Sequence, residues 1–402
     1  MHVAVVGGGI IGTFTAFFLH SRGCQVTIFD QASEPASATS RANGGQLSYS
    51  FCDAMADPTL LPKLPGILLG IDPAFKIKPS ISADFYQWGI KFLRECRTER
   101  RDSNTQTLLN LAQRSSSLME PLRDKFSDSA GYSKSGKLVL LGQPADTETH
   151  RRLELKQAMG LNVSILDEDQ LMSIEPALKS ISEPPVAAIY SPDDEAADAH
   201  AFINCLSHYL KNKGVSTRFG ETVEKLKPQR NGQCLLKTTQ DELSFNAVVL
   251  ATGDSAEALL RPNGIKLPVL GMSGYSWTYP AVETSPKVSI TALSKRIVYS
   301  RLGEQIRIAG FADVNIPARY TDERALTLSK IAQKLMPDAA DYANPVGDAW
   351  RGVRSMTPDS QPIIGRTRIP GVYTNLGHGM LGWTLGAATG EYVAQEITKN
   401  EG

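Results

Sequence analysis

Gly7, Gly9, Gly12 and Asp30 are the first residues of this chain whose types and spacing can do chemistry. The glycines stand at G-x-G-x-x-G spacing within MHVAVVGGGIIGTFTAFFLHSRGCQVTIFD. Each has its own reason to lack a side chain. Gly7 permits a tight strand-to-helix turn, Gly9 lets the backbone approach a pyrophosphate, and Gly12 lets helix and strand pack closely. The helix they open offers unpaired N–H groups and the positive end of its dipole to phosphate. Asp30 ends the next strand, where a carboxylate accepts hydrogen bonds from free ribose hydroxyls. Together these residues predict a dinucleotide site.

The elements that must position them are legible alongside. Residues 3–6 read as a short buried strand, 10–19 as an apolar helix and 26–29 as a second strand, making a βαβ unit. At 402 residues the chain exceeds one core, so two domains are expected. Its 42 basic residues balance 42 acidic ones and no basic stripe appears, so nothing favours nucleic acid. Cys24, Cys52, Cys96, Cys205 and Cys234 are scattered without a CxxC pair, and the histidines are dispersed. This predicts free thiols in a reducing compartment and no metal site. The first strand begins at the second or third residue, leaving no room for a signal peptide, and no apolar run approaches the roughly twenty residues of a membrane span. A soluble cytoplasmic body is the expectation.

Further along, residues 33–50 are small, polar and glycine-containing, and read as a long loop running toward the cofactor. Residues 58–81 place many apolar side chains between Pro62, Pro65 and Pro73, which exclude a long regular helix. Core packing, a lid over the site and a surface that touches lipid all remain open for this segment. A helical pattern runs over 82–126 and another over 198–213, ended by Gly214. NAVVLATG at 246–253 is a strong buried strand leading into Thr252 and Gly253. Alternation after Pro268, including 296–300 and 305–310, predicts an antiparallel sheet. A helix follows over 322–335, and a glycine-dense strand, turn and helix close the chain over 372–398. Gly377, Gly379 and Gly382 surround His378, Met380 and Leu381 at that last turn, making a second helix N-terminus rich in backbone donors.

Four separated segments, SATSRANGGQLS, NAVVLATG, WRGVRSMTPDSQPIIG and TNLGHGMLGWTLGAATG, resemble the FAD-dependent D-amino-acid oxidase/glycine oxidase superfamily. Within it the chain is most similar to the small subunits of bacterial D-amino-acid dehydrogenases. The resemblance runs the whole length and departs at Asn43-Gly44-Gly45-Gln46, where Asn-Ala-Gly-Gln is usual.

The resemblance implies an α/β fold, a Rossmann-like FAD-binding domain interleaved with an α+β substrate domain on an antiparallel sheet. The expected division assigns 1–80, 190–265 and 345–402 to the FAD domain, and 81–189 and 266–344 to the substrate domain. Gly7, Gly9, Ile11 and Gly12 would hold the pyrophosphate, Asp30 with Gln31 the adenosine ribose, and the Val223 backbone the adenine. Thr39, Ser40 and Arg41 would line the ribityl-phosphate side, and Asn43, Gly44, Gly45, Gln46 and Leu47 would pass beside the flavin ring. Thr252, Gly253, Gly352, Gly377, Gly379, Met380, Leu381 and Gly382 complete the expected cofactor set, with FAD non-covalent.

Arg354 corresponds to the arginine that grips the substrate carboxylate, a task suited to a planar guanidinium. Arg351 is the alternative, three residues earlier and so on the other side of a strand. A tyrosine hydroxyl often joins this carboxylate site, and Tyr275 and Tyr299 both qualify. His378 reads equally as a direct contact or as an ordinary loop histidine, and Trp277 and Trp350 as apolar walls or as core. The implied reaction is oxidative deamination of D-amino acids, with hydride passing from Cα to flavin N5. The resulting imine hydrolyses to a 2-oxo acid and ammonia, and electrons leave to a quinone or another acceptor. The alternative is an oxygen-using oxidase of glycine, sarcosine or a cyclic imino acid such as D-proline or hydroxyproline. The resemblance also implies a peripheral contact with the inner membrane through residues 58–77. Oligomeric state stays open.

Overall fold

The computed structural model describes residues 1–126 and 128–399, so Ser127 and Asn400–Gly402, within the expected 81–189 and 345–402 segments, lie outside the described residues. Two sheets organise the chain. The first has six strands, in the spatial order Ile363–Arg366, Val372–Leu376, Ala247–Leu250, His2–Val6, Gln25–Asp30 and Ser216–Phe219. All its pairings are parallel except that of the first two strands. The 2–6 strand and both its neighbours are almost wholly buried, as continuous apolar runs in a parallel sheet should be. The helix Ile10–Ser21 packs against the C-terminal helix Gly382–Lys399, joining the two ends of the chain. Gly386 and Gly390 permit that approach, because a Cβ at either would press on Phe14.

The second sheet is mixed. Its strands run Trp350–Met356, Leu270–Pro280, Gln305–Val314, Ile297–Leu302, Ser289–Ala292, Lys137–Leu141, Ala187–Ser191 and Ser164–Leu166, with Phe75–Ile77 added beside Gln305–Val314. The stretch after Pro268 pairs antiparallel as the alternation predicts, but two pairings of this sheet are parallel. The strands 75–77 and 350–356, taken from segments expected in the FAD domain, both pair into it. One face of the sheet packs Tyr275, Tyr279, Ile297, Tyr299, Ile306 and Ile308 against the helix Thr321–Leu335. The other face turns toward the first sheet.

The 82–126 pattern forms two helices, Ala83–Glu95 and Thr98–Phe126, separated at Cys96 and Arg97. Residues 58–81 make a 3-10 turn over Pro58–Lys63, a short helix over Leu64–Leu68 and the 75–77 strand, consistent with their prolines.

Residues 39–48 run between the two layers and cross the second sheet strand by strand. Thr39 Oγ1 donates to the Val353 carbonyl at 2.9 Å. Ser276 Oγ then holds the Ala42 carbonyl at 2.7 Å, Arg307 Nη1 that of Asn43 at 3.1 Å, and Ser300 Oγ that of Gly44 at 2.7 Å. Thr291 Oγ1 reaches the Gln46 amide oxygen at 3.4 Å, and Lys137 Nζ reaches Ser48 Oγ at 2.7 Å. The six strands supplying these contacts are consecutive neighbours in the sheet. Burial pulls the Lys137 ammonium down to about 8.

Candidate active site

A cavity of about 1360 Å³ runs between the two layers, from the glycine turn to the 350–356 strand. At one end the backbone makes the site. Gly7 has φ +111°, and a Cβ there would lie 2.7 Å from the Ala251 carbonyl oxygen. A Cβ on Gly12 would overlap the Gly7 carbonyl itself, so the helix can sit this low on the strand only with glycine. The helix Ile10–Ser21 has no side-chain cap at its N-cap Gly9; Ser40 Oγ accepts the Ile10 N–H at 3.2 Å, and Gly9, Ile10 and Ile11 line the cavity. Asp30 accepts from Gly8 N–H at 2.6 Å and Ala32 N–H at 2.8 Å, which fixes its carboxylate at the cavity edge. Thr252 also lines the cavity, and its buried Oγ1 has no protein partner. A glycine cradle, an edge carboxylate and an orphaned hydroxyl fit the diphosphate and sugar hydroxyls of a dinucleotide.

In the middle, the 42–46 segment presents Asn43, Gly44, Gly45 and Gln46 to the cavity. Asn43 Oδ1 accepts from Gly45 N–H at 3.0 Å, closing a local turn whose Gly45 has φ +72°. Gly377, His378, Gly379, Met380, Leu381 and Gly382 also line the cavity, at the start of the C-terminal helix.

The far end depends on a side chain. Arg354 is enclosed by protein and reaches solvent through the cavity it lines. Its Nη1 donates to the Phe311 carbonyl at 2.8 Å, and among the described residues no carboxylate lies within ion-pair distance. Enclosure pulls the guanidinium down to about 10, against the opposing pull of Asp313. Asp313 is already committed on the other side of the sheet, held by Arg324 at 2.6 and 2.8 Å and by the Tyr275 hydroxyl at 3.0 Å. The fold therefore brings an enclosed cation to the cavity wall without an anion to match it.

Of the expected residues, Gly7, Gly9, Ile11, Asp30, Gln31, Thr39, Ser40, Val223, Thr252, Gly253 and Gly352 also line this cavity. Others are placed differently from the expectation. Tyr299 lies on the face packed against the 321–335 helix, and its hydroxyl donates to the Ala332 carbonyl at 2.9 Å. Tyr275 borders the cavity, but its hydroxyl is spent on Asp313 and its phenol is pushed up to about 12 by burial. Strand alternation explains both, since Tyr275 and Arg351 pair on one face while Met272 and Arg354 pair on the other. Arg351 accordingly points away and reaches the Ile316 carbonyl at 3.4 Å. His378 is buried and bonds Thr389 Oγ1 at 3.0 Å, an internal contact. Gly12 serves packing, Leu47 is a core residue in the short strand Gln46–Leu47, and the Arg41 guanidinium stacks on Trp350 at 4.8 Å. The sequence reading missed Gly274 and Phe311, both against Arg354. An isolated glycine inside LGMSGYSWTYP was the available signal for a close approach.

A family model described as FAD dependent oxidoreductase matches residues 2–396. D-amino acid dehydrogenase 2 of Ralstonia nicotianae (strain ATCC BAA-1114 / GMI1000) is 34% identical over 411 residues, covering 99% of this chain and 97% of that protein. D-amino acid dehydrogenase of Vibrio vulnificus (strain CMCP6) is 31% identical over 402 residues, covering 99% and 96%. Among solved structures, glycine oxidase from Bacillus cereus ATCC 14579 has a TM-score of 0.73 at 20% identity, covering 99% of this chain and 95% of that one. L-proline dehydrogenase from P. horikoshii has a TM-score of 0.75 at 19% identity, covering 99% and 93%. The structural likenesses show a shared fold. The match over nearly the whole sequence, with relatives of equal extent, places this chain in the FAD-dependent oxidoreductase family.

Proposed function

We propose that this protein oxidises D-amino acids at Cα, giving an imine that water hydrolyses to a 2-oxo acid and ammonia. The observation that carries the reading is Arg354, an enclosed guanidinium on the cavity wall with no carboxylate partner. An α-carboxylate is the partner it lacks, and a planar guanidinium can fix one by two parallel charge-assisted bonds. The names of the full-length relatives support the substrate class and its D-configuration.

FAD, when bound, supplies the two-electron acceptor for the Cα–H bond. The residues of this chain hold and orient. The Gly7–Ile11 turn takes the diphosphate, Asp30 the adenosine ribose, and Thr39 and Ser40 the ribityl side. Residues 43–46 and 377–382, which line the cavity, would hold the ring. Arg354 orients the substrate so that its Cα faces the cavity centre, and the enclosing layers exclude water. His378 bonds Thr389 Oγ1, and burial pushes its imidazole down to about 3, so it stands neutral beside the site.

The finer reading concerns where the electrons go. Among the described residues no helix is long and apolar enough to cross a membrane. Yet Leu68, Leu69, Ile71 and Ile81 are exposed, Leu69 by 78%, next to a cavity mouth lined by Leu60, Leu64, Tyr86 and Ile90. An apolar rim of this kind suits peripheral contact with a bilayer and entry of a quinone acceptor.

An anaerobic titration of the holoprotein with paired D- and L-amino acids, glycine, sarcosine and proline tests the proposal. Bleaching of the flavin band by D-isomers is the expected result, with turnover supported by a quinone or dye. Bleaching by glycine, sarcosine or proline alone, with rapid oxygen uptake, identifies the oxidase alternative. No bleaching by any of them overturns the amino-acid reading.

A further inference from the structure

Arg354 carries a charge that must be both enclosed and aimed, and two features of neighbouring strands bear on it. The first is an irregularity. Between the pairs Tyr275–Gly310 and Ser273–Asp313 the 305–314 strand contains one residue more than its partner. The extra residue makes a bulge, and Phe311 within it has φ +64°, an uncommon and strained conformation for an aromatic residue. Its ring points to the helix side, 4.5 Å from the Arg324 guanidinium, while its carbonyl accepts Arg354 Nη1 on the cavity side. The second is Gly274, directly across the ladder from Gly352 and on the same face as Arg354. A Cβ on Gly274 would overlap the Arg354 guanidinium, so the guanidinium lies flat on bare backbone there. Both residues line the cavity beside Arg354.

We infer that Gly274 and the Phe311 bulge are positioning residues that form a slot for Arg354, holding its guanidinium at the angle at which a substrate carboxylate can be gripped. The inference rests on the reading of Arg354 as the carboxylate anchor. The bulge turns one carbonyl out of the ladder and onto Nη1, and the missing side chain at 274 leaves the depth the planar group needs. Strain at Phe311 persists because the Asp313–Arg324 pair and Tyr275 fix the strand on its far side. Both parts of the slot act on the Arg354 guanidinium, so their loss should be felt through that side chain.

The test uses the FAD-loaded protein and three variants: Gly274→Ala, Arg354→Leu and the double substitution. For Gly274→Ala the KM for a D-amino acid should rise roughly 10- to 100-fold, the range expected for an anchor displaced by about 1 Å. Its kcat and flavin content should stay close to wild type. Binding of benzoate, read from the flavin spectrum, should weaken by a similar factor. In the Arg354→Leu background the same alanine should add nothing, because the group it displaces is gone. An equal cost in both backgrounds, or no change in KM and benzoate affinity, overturns the slot. If Arg354→Leu itself leaves carboxylate affinity intact, the anchor reading fails first and is recognised separately. Should Gly274→Ala not fold, Phe311→Val and Phe311→Asn decide. A β-branched residue resists positive φ and asparagine tolerates it, so KM should rise further in the valine variant. Equal rises overturn the inference.

Discussion

The glycine turn at residues 7–12 and the slot around Arg354 border one cavity and are built by opposite means. The turn is made of backbone from one contiguous stretch, and each glycine matters for what it lacks. The slot is made of a side chain from the 350–356 strand, a carbonyl from 305–314 and a bare position on 270–280. One end recognises a group common to every dinucleotide and needs no variable side chain. On the proposed reading the other grips a carboxylate, which takes a charged side chain that strand register brings to the wall. Substitutions at the turn should therefore abolish the holoprotein, whereas those at the slot should weaken substrate binding and leave the flavin in place.

The largest effect should come from Gly12→Val, which drives a branched side chain into the Gly7 carbonyl. Flavin content should fall to near zero, with a loss of roughly 3 kcal/mol or more in stability. A purified variant that keeps its colour and melting temperature would remove the contrast. Arg354→Leu comes next, with full flavin content and KM raised on the order of 10- to 100-fold, as for the loss of a charge-assisted pair. Steady-state kinetics beside a flavin-to-protein absorbance ratio separates the two ends.

A smaller effect concerns acid stability. The folded His378 is pushed far below its ordinary 6.5, to about 3, so the unfolded chain takes up a proton first. Stability from this group is complete above 6.5 and is lost progressively as pH falls toward 3. His378→Asn should flatten the decline in melting temperature between pH 6.5 and 4 relative to wild type. Parallel declines would mean that the imidazole titrates normally. Smallest of all, Tyr299→Phe removes a buried hydroxyl from the Ala332 carbonyl and should cost about 1 kcal/mol with KM unchanged. A shift in KM there would bring Tyr299 back into the substrate site.

The same contrast explains what could be read in advance. The βαβ unit, its turn and Asp30 lie within thirty residues, so local spacing sufficed to place them. Arg354 was found by resemblance of its surroundings, while its partners were invisible because register across three strands decides them. Where the hydroxyls of the two candidate tyrosines lie could not be read in advance, for one reason. A strand shows which residues alternate but not which face meets the cavity; Tyr299 turns to the 321–335 helix, and Tyr275, though it borders the cavity, sends its hydroxyl to Asp313. The glycine inside the 270–280 strand was visible, but its neighbour was not.

The passage of residues 39–48 across six neighbouring strands has a consequence for assembly. Each contact is made by a different strand, from as far along the chain as Val353. This wall of the cavity is therefore complete only when those six strands have paired, so retention of a bound cofactor should report on their closure. A ligand seated there stabilises the finished arrangement in proportion to its saturation. A fault in a remote hairpin of that sheet should then first be seen as lost yellow colour, before any loss of secondary structure.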